Sequence, residues 1–275
     1  MTGRVVLFGA TGYTGRLSAE AMTRAGLAPV LAGRSEEALV DLVGDLAGLG
    51  PVDRAPTWRR ADVADPATVR ALLSGPDDVL VSTVGPFCDL GRPAVEAAID
   101  AGCAYVDSTG ESTFIRDVFM EHGPRAASTG ARLLTAFGYD YVPGNLAAAL
   151  AMRDAQDTAS GPVTVEVGYF VRGGMSMSSG TRATSARMLD EPPPALRNGR
   201  VGPPRSRGVT FDVHGHRLDA LPVGGSEVYA LPRLDTRVRD VDVFLGWLGR
   251  WTRAAHLGGG IASAAARVPG LGALM

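Results

Sequence analysis

Apolar positions follow two rhythms along this chain, and the rhythm changes near residue 140. Before that point, short continuous apolar runs alternate with amphipathic stretches. Residues 4–8 read as a buried strand, 16–24 as a helix and 28–32 as a second strand. A helix is expected over 36–46 and a strand over 57–61. Asp65 and Pro66 then open a helix reaching residue 73, with Asp65 as N-cap and Pro66 in its first turn. The alternation continues with a strand over 78–83, a helix over 92–101, a strand over 104–107, a helix over 112–128 and a strand over 131–136. Strand–helix alternation of this length predicts an α/β fold, a Rossmann-type doubly wound parallel sheet.

Beyond it the period shortens to two. Val163, Val165, Val167, Tyr169 and Val171 fall on one face of residues 162–171, as in a half-buried antiparallel strand. Residues 178–189 have a helical pattern, and 191–207, rich in proline, glycine and arginine, read as a long loop. A hairpin turning at Gly215 is expected over 209–218, a strand over 226–231, and a helix from Val241 onward carrying Trp247 and Trp251. This predicts a second α+β domain. The expected division is a dinucleotide-binding domain over 1–145 and a substrate or dimerisation domain over 146–275. The apolar end, 270–275, suggests a shortened second domain or a surface that packs on a partner, and a homodimer is expected.

Chemistry enters at the turn after the first strand. Gly9-Ala10-Thr11-Gly12-Tyr13-Thr14-Gly15 joins that strand to a helix. Free N–H groups at a helix N-terminus bind phosphate well. Gly9 permits the sharp turn, Gly12 leaves room for a pyrophosphate, and Gly15 lets the helix pack on the strand. The G-x-x-G-x-x-G spacing is one residue wider than the standard fingerprint. The second strand ends in Gly33-Arg34-Ser35, where an NAD site would place an acid on the ribose. A guanidinium and a hydroxyl there favour the 2′-phosphate, so the expected cofactor is NADP (NADPH).

Ligands in such sheets lie beyond the carboxyl ends of the strands. Asp62 and Val63 are placed to meet the adenine, and Thr83, Val84, Gly85 and Pro86 to meet the nicotinamide ribose. Asp107 and Glu111 flank two hydroxyls on the loop after the fifth strand, beside the expected nicotinamide. Tyr139 and Asp140 follow the sixth. Either is a candidate proton donor or substrate anchor, with Glu111 orienting substrate. For each of these polar residues a turn or capping role is the competing reading.

Composition narrows the choices. All 27 basic residues are arginine, so a Tyr-x-x-x-Lys centre, a Schiff-base lysine and a Walker lysine are excluded within this chain. A formal charge of −2 gives no sign of nucleic-acid binding. The two cysteines and four histidines have no metal-ligand spacing. No apolar run is long enough to span a membrane and no leader precedes the first strand, so a cytoplasmic protein is expected.

Five blocks carry a family resemblance: GATGYTG (9–15), LAGRS (31–35), VSTVGPF (81–87), YVDSTGE (105–111) and GYDYVPGNL (138–146). Taken together and in order, they resemble the saccharopine dehydrogenase-like NADP-binding oxidoreductases, which include the mycobacterial trans-acting enoyl reductases. The resemblance covers residues 1–150 best, with a weaker echo at 178–189. It implies a Rossmann domain followed by an α+β domain that often dimerises. It also implies hydride transfer to a C=N or C=C bond of a small or lipid-like substrate. Two rival readings stand beside it: a non-catalytic NADP sensor, and a truncated remnant that binds cofactor without turnover.

Overall fold

The first apolar run folds as strand β1 (Val5–Phe8), with Val6, Leu7 and Phe8 buried. In this computed structural model, which describes residues 3–50, 55–139, 141–155, 161–170, 193–204 and 208–246, two parallel strands flank it: β2 (Val30–Gly33) and β4 (Val79–Ser82). β3 (Thr57–Arg60) pairs with β2 on one side. β5 (Ala104–Asp107) and β6 (Arg132–Leu134) continue beyond β4 on the other. The order is β3-β2-β1-β4-β5-β6. Chain direction through the sheet reverses between β1 and β4, which places a ligand crevice at the carboxyl ends.

Strands buried on both faces need apolar residues at successive positions. Leu7 and Leu31 pack with Leu39, Leu42 and Leu46 of helix α2 (Glu36–Leu46), and with Ala19 of helix α1 (Tyr13–Arg24). Val6, Phe8 and Leu80 point the other way. They meet Val69 of α3 (Pro66–Arg70) and Ala94, Val95 and Ala98 of α5 (Arg92–Ala101), which follows the short α4 (Phe87–Leu90). Each fully buried Leu or Phe contributes about 1.5–3 kcal/mol. Asp65 caps α3 through its Oδ1, which accepts from the Ala67 N–H at 3.2 Å. Gly102, with φ of +65°, ends α5.

The expected helix over 112–128 is divided. α6 (Ser112–Asp117) and α7 (Gly123–Thr129) are joined by a π-turn, Val118–His122. Pro124 has no N–H to give the ladder, and the wider turn lies just ahead of it.

The chain divides into two compact units, the described residues to Val142 forming the first and those from Pro143 the second. The second takes in helix α8 (Val142–Asp154) from Pro143 onward. Its sheet is built around β12 (Val238–Gly246), which pairs in parallel with β7 (Val163–Phe170) over eight register positions. The strand read as antiparallel is therefore parallel to its partner. β8 (Ala195–Arg197) and β9 (Arg200–Gly202) form a hairpin that meets β12 at Val241. β10 (Val209–Val213) and β11 (His216–Pro222) form another, which meets β12 at Phe244 and Leu245 and turns at His214 and Gly215 as expected.

Three other expectations fail here. The region read as a loop holds the β8–β9 hairpin, whose Asn198-Gly199 turn has φ of +49° and +77°, the left-handed geometry that Asn-Gly supplies. The expected strand over 226–231 is helix α9 (Glu227–Leu234), burying Val228 and Leu231 at helical spacing. The expected helix from Val241 begins as strand β12, where Val238, Val241 and Val243 favour extended backbone. Residues 178–189, Trp247 and Trp251 lie outside the described residues. Among the described residues no helix is long and apolar enough to cross a membrane.

One backbone contact makes this fold testable. A Cβ on Gly15 would lie 2.1 Å from the Gly9 carbonyl oxygen and 2.8 Å from the Ala10 Cα. Backbone cannot yield as a side chain tip can. We expect Gly15→Ala to destabilise the protein by about 1–3 kcal/mol, an overpacking cost, read as a lowered urea midpoint. Gly44→Ala, in α2 with open space around it, should lose nothing.

Candidate functional site

The turn after β1 is drawn tight by its own backbone. The N–H groups of Gly9 and Ala10 both donate to the Ala32 carbonyl, at 2.9 and 3.1 Å, and Gly12 N–H donates to the Gly9 carbonyl at 3.1 Å. Gly9 has φ of +86°, a conformation that glycine adopts without steric cost. Gly12 is the N-cap of α1 and no side chain caps the helix. Its first turn carries no acidic residue, so the positive end of the helix is not neutralised. A Cβ on Gly12 would meet only the Gly9 carbonyl, at 3.4 Å, so the space it would fill opens outward. Tyr13 and Thr14 are exposed beside it, and Thr11 is half-buried.

Thr83 and Val84 close onto this turn. The Thr83 hydroxyl donates to the carbonyls of Phe8 and Gly9, at 3.2 and 3.1 Å. A Cβ on Gly9 would lie 2.8 Å from that hydroxyl oxygen and 2.9 Å from the Val84 Cγ2. The loops after β1 and β4 are thus fitted to one another. Gly85 and Pro86 follow, joined by a cis peptide bond.

At the end of β2, Gly33 is buried, while Arg34 and Ser35 are exposed. Ser35 is the N-cap of α2, its hydroxyl oxygen accepting from the Ala38 N–H at 3.3 Å. Asp62, after β3, accepts from the Ala64 N–H at 3.0 Å, and Val63 is half-buried beside it. This is a turn role for Asp62, and one that leaves its place at the sheet edge unchanged.

The carboxylates after β5 serve the backbone. Asp107 is 1 % exposed. Its Oδ1 accepts from the N–H groups of Thr109 and Ala136, both at 2.9 Å. Burial pushes its carboxyl above the ordinary range, and those two N–H groups draw it partly back. The hydroxyls of Thr135 and Tyr105 also draw it down without reaching hydrogen-bond geometry to Oδ2. Glu111 is buried and accepts from the N–H groups of Phe87 and Cys88, at 2.7 and 3.0 Å. It therefore caps α4 from a different loop and fixes the chain just after Pro86. Tyr141 donates its hydroxyl to the Gly110 carbonyl at 3.2 Å. Tyr139 is 86 % exposed. Asp140 lies outside the described residues.

The structure thus joins Gly9 to Thr83 and Val84, and Glu111 to the loop following Pro86. It leaves Tyr139 facing solvent. Among the described residues no group of three or more His, Cys, Asp or Glu side chains could hold a metal ion.

The second unit contains a titratable site that the sequence reading missed. Glu227, in the first turn of α9, is 0 % exposed. Its Oε1 accepts from the Tyr169 hydroxyl of β7, and its Oε2 has no partner among the described residues. Gly144 and Gly225 flank the pair so closely that a Cβ at either would strike the Glu227 carboxylate, at 2.6 and 2.3 Å. Beside it, Asn145 Nδ2 donates to the Ser226 hydroxyl at 2.9 Å. No local sequence pattern announces a pair separated by 58 positions.

Several proteins are similar to this chain. No family model matches it. A protein of Mycobacterium leprae named trans-acting enoyl reductase is 41 % identical over 146 residues, which are 52 % of this chain and 34 % of that protein. A protein of the same name from Mycobacterium tuberculosis H37Rv is 40 % identical over the same shares. A third relative, also from Mycobacterium tuberculosis H37Rv, is 38 % identical over 164 residues, 58 % of this chain and 38 % of its own. The chain thus spans well under half the length of these curated relatives. Among solved structures, a short chain dehydrogenase from Mycobacterium smegmatis aligns at 18 % identity and a TM-score of 0.40. It covers 49 % of this chain and 76 % of its own, a likeness too partial to bear on function.

Burial pushes the Glu227 carboxyl up to about 7, the Tyr169 hydroxyl pulling against that rise. The ordinary value is 4.5. A carboxyl raised on folding stabilises the fold fully below the unfolded value, and loses that contribution as pH climbs through the folded one. We expect stability to fall by about 3 kcal/mol between pH 4.5 and 7 from this group, at 1.36 kcal/mol per unit. Urea midpoints across that window should show the fall in wild type and a flatter profile in Glu227→Gln. An equal slope in both proteins would remove Glu227 as the cause.

Proposed function

We propose that this chain is an NADP-dependent oxidoreductase of saccharopine dehydrogenase type. It would transfer hydride to a C=N or C=C bond of a small or lipid-like substrate. The observation that carries the reading is the uncapped N-terminus of α1 behind Gly12, next to Gly33-Arg34-Ser35 with no acid at the end of β2. The residues fit a dinucleotide. Gly12 leaves open space where a pyrophosphate would lie, and the N–H groups of α1 supply its donors. Arg34 and Ser35 would take the 2′-phosphate, Asp62 and Val63 the adenine, and Thr83, Val84, Gly85 and Pro86 the nicotinamide ribose. The similarity to proteins named trans-acting enoyl reductases favours a C=C bond in a lipid-like substrate.

The cofactor, when bound, supplies the hydride. The chain's own task is to hold it, to exclude water and to deliver a proton. With no lysine in the chain, we assign the donor to Tyr139 or Asp140. Glu111 acts by orienting, through the loop its carboxylate holds at Phe87 and Cys88. The second unit would serve substrate binding and a homodimer. A second reading, a dinucleotide sensor without turnover, draws on the commitment of Asp107 and Glu111 to backbone N–H groups.

Fluorescence titration tests the cofactor assignment. Arg34→Ala should weaken NADPH by about tenfold or more, the weight of a lost charge-assisted hydrogen bond, and leave NADH unchanged. Wild-type protein that binds NADH as tightly as NADPH would defeat the assignment.

Turnover separates the two readings. NADPH oxidation should appear with an enoyl thioester or an imine, and should fall by about 10²-fold or more in Tyr139→Phe or Asp140→Asn. Glu111→Gln should lower turnover with NADPH binding retained. Bound NADPH that no such acceptor oxidises would favour the sensor.

A further inference from the structure

Arginines of the first unit are of two kinds. Arg4, Arg70 and Arg92 are held by Asp78, Asp100 and Glu96. Arg34, Arg59 and Arg60 are exposed and, among the described residues, carry no ion pair with a carboxylate. These three gather at one corner of the sheet. Gly33, the last residue of β2, is the register partner of Arg60, the last of β3, and Ala32 is the partner of Arg59.

Register assigns the faces. Side chains at paired positions of adjacent strands share a face. The absent side chain of Gly33 would point toward Thr11 and Leu39, so Arg60 stands on the α1–α2 face, beside the glycine turn. Arg59 stands on the opposite one. Arg60 is also positioned: its Nε donates to the Arg34 carbonyl at 3.2 Å. That bond turns one edge of the guanidinium inward and leaves donors on its two Nη atoms to reach a ligand. The Ser35 hydroxyl, accepting from Ala38, keeps its own proton to donate. Glu36 and Glu37 begin α2 nearby, and among the described residues neither is paired with these arginines.

The Arg60 guanidinium is thus held against the Arg34 backbone at the end of β2, with both side chains exposed. We propose that Arg60 is a second cation of the 2′-phosphate site, gripping the phosphate with Nη while Nε holds it to the Arg34 backbone. This deepens the NADP assignment made above and rests on it. The specificity of the chain for a phosphorylated ribose then comes from β3 as well as from the loop after β2.

Isothermal titration with NADPH, NADH, 2′,5′-ADP and 5′-ADP tests it. Arg60→Ala should weaken NADPH and 2′,5′-ADP by about tenfold or more and leave NADH and 5′-ADP unchanged. Arg132→Ala, an exposed arginine on β6 at the far edge of the sheet, should change none of the four. Arg60→Ala that binds NADPH like wild type, or that weakens NADH equally, overturns the proposal. If Arg34→Ala selectively loses NADPH while Arg60→Ala does not, only the role of Arg60 falls. If wild type does not prefer NADPH, the cofactor assignment falls and takes this role with it.

Discussion

Contact between the Gly9 carbonyl and the Gly15 backbone sets the geometry of the first unit. A methyl group at residue 15 would fall 2.1 Å from that oxygen, so the helix can come this close to the strand only without a side chain there. The closeness aims the α1 N-terminus at the carboxyl edge of the sheet. It also fixes where the Gly9 carbonyl must be, and the Thr83 hydroxyl then bonds that same oxygen. One steric requirement thus positions the two loops that flank the reversal in strand order. In a doubly wound sheet that reversal is where a ligand finds room.

The first unit was readable because its signals are local. Strands buried on both faces appear as unbroken apolar runs, and each is separated from the next by a helix with an ordinary start and stop. The second unit was harder to read for an equally physical reason. Residues 226–231 are a short stretch ending in four apolar or aromatic positions, and nothing within six residues separates a strand from a helix turn. What decides is packing against the rest of the unit, which buries Glu227, Val228, Tyr229 and Leu231 of α9. The strand character of β12 likewise comes from its eight register pairs with β7, which its own residues do not announce. The Asn198-Gly199 turn was a local signal, overlooked within a stretch rich in proline and arginine.

The candidate site divides along the same line. The glycine turn and the Gly33-Arg34-Ser35 corner could be read from order and spacing. The sequence offers Asp107 as a cofactor-binding residue and Glu111 as a candidate for chemistry. Their oxygens instead receive backbone N–H groups from other loops, Ala136 for one and Phe87 and Cys88 for the other. Such partners cannot be guessed before the loops are placed. Arg60 escaped notice because its nearness to Gly33 is a matter of strand register, and Glu227 because its hydroxyl partner lies on a different element.

Where charge points at the sheet edge follows from these bonds. Asp107 and Glu111 are buried, and each accepts from two N–H groups of the protein, the Oδ2 of Asp107 being left without a hydrogen-bond partner among the described residues. Carboxyls engaged in this way brace the loops that meet them. The arginines at the ends of β2 and β3 have no such inward partners apart from the single Nε bond of Arg60. Together with the uncapped end of α1, they set hydrogen-bond donors at this corner, with Glu36 and Glu37 opening α2 beside them. Arginine suits that role, because its charge persists at any physiological pH and its planar fork matches a phosphate. Carboxyls turned inward and guanidiniums turned outward leave donors rather than acceptors at the ends of β2 and β3.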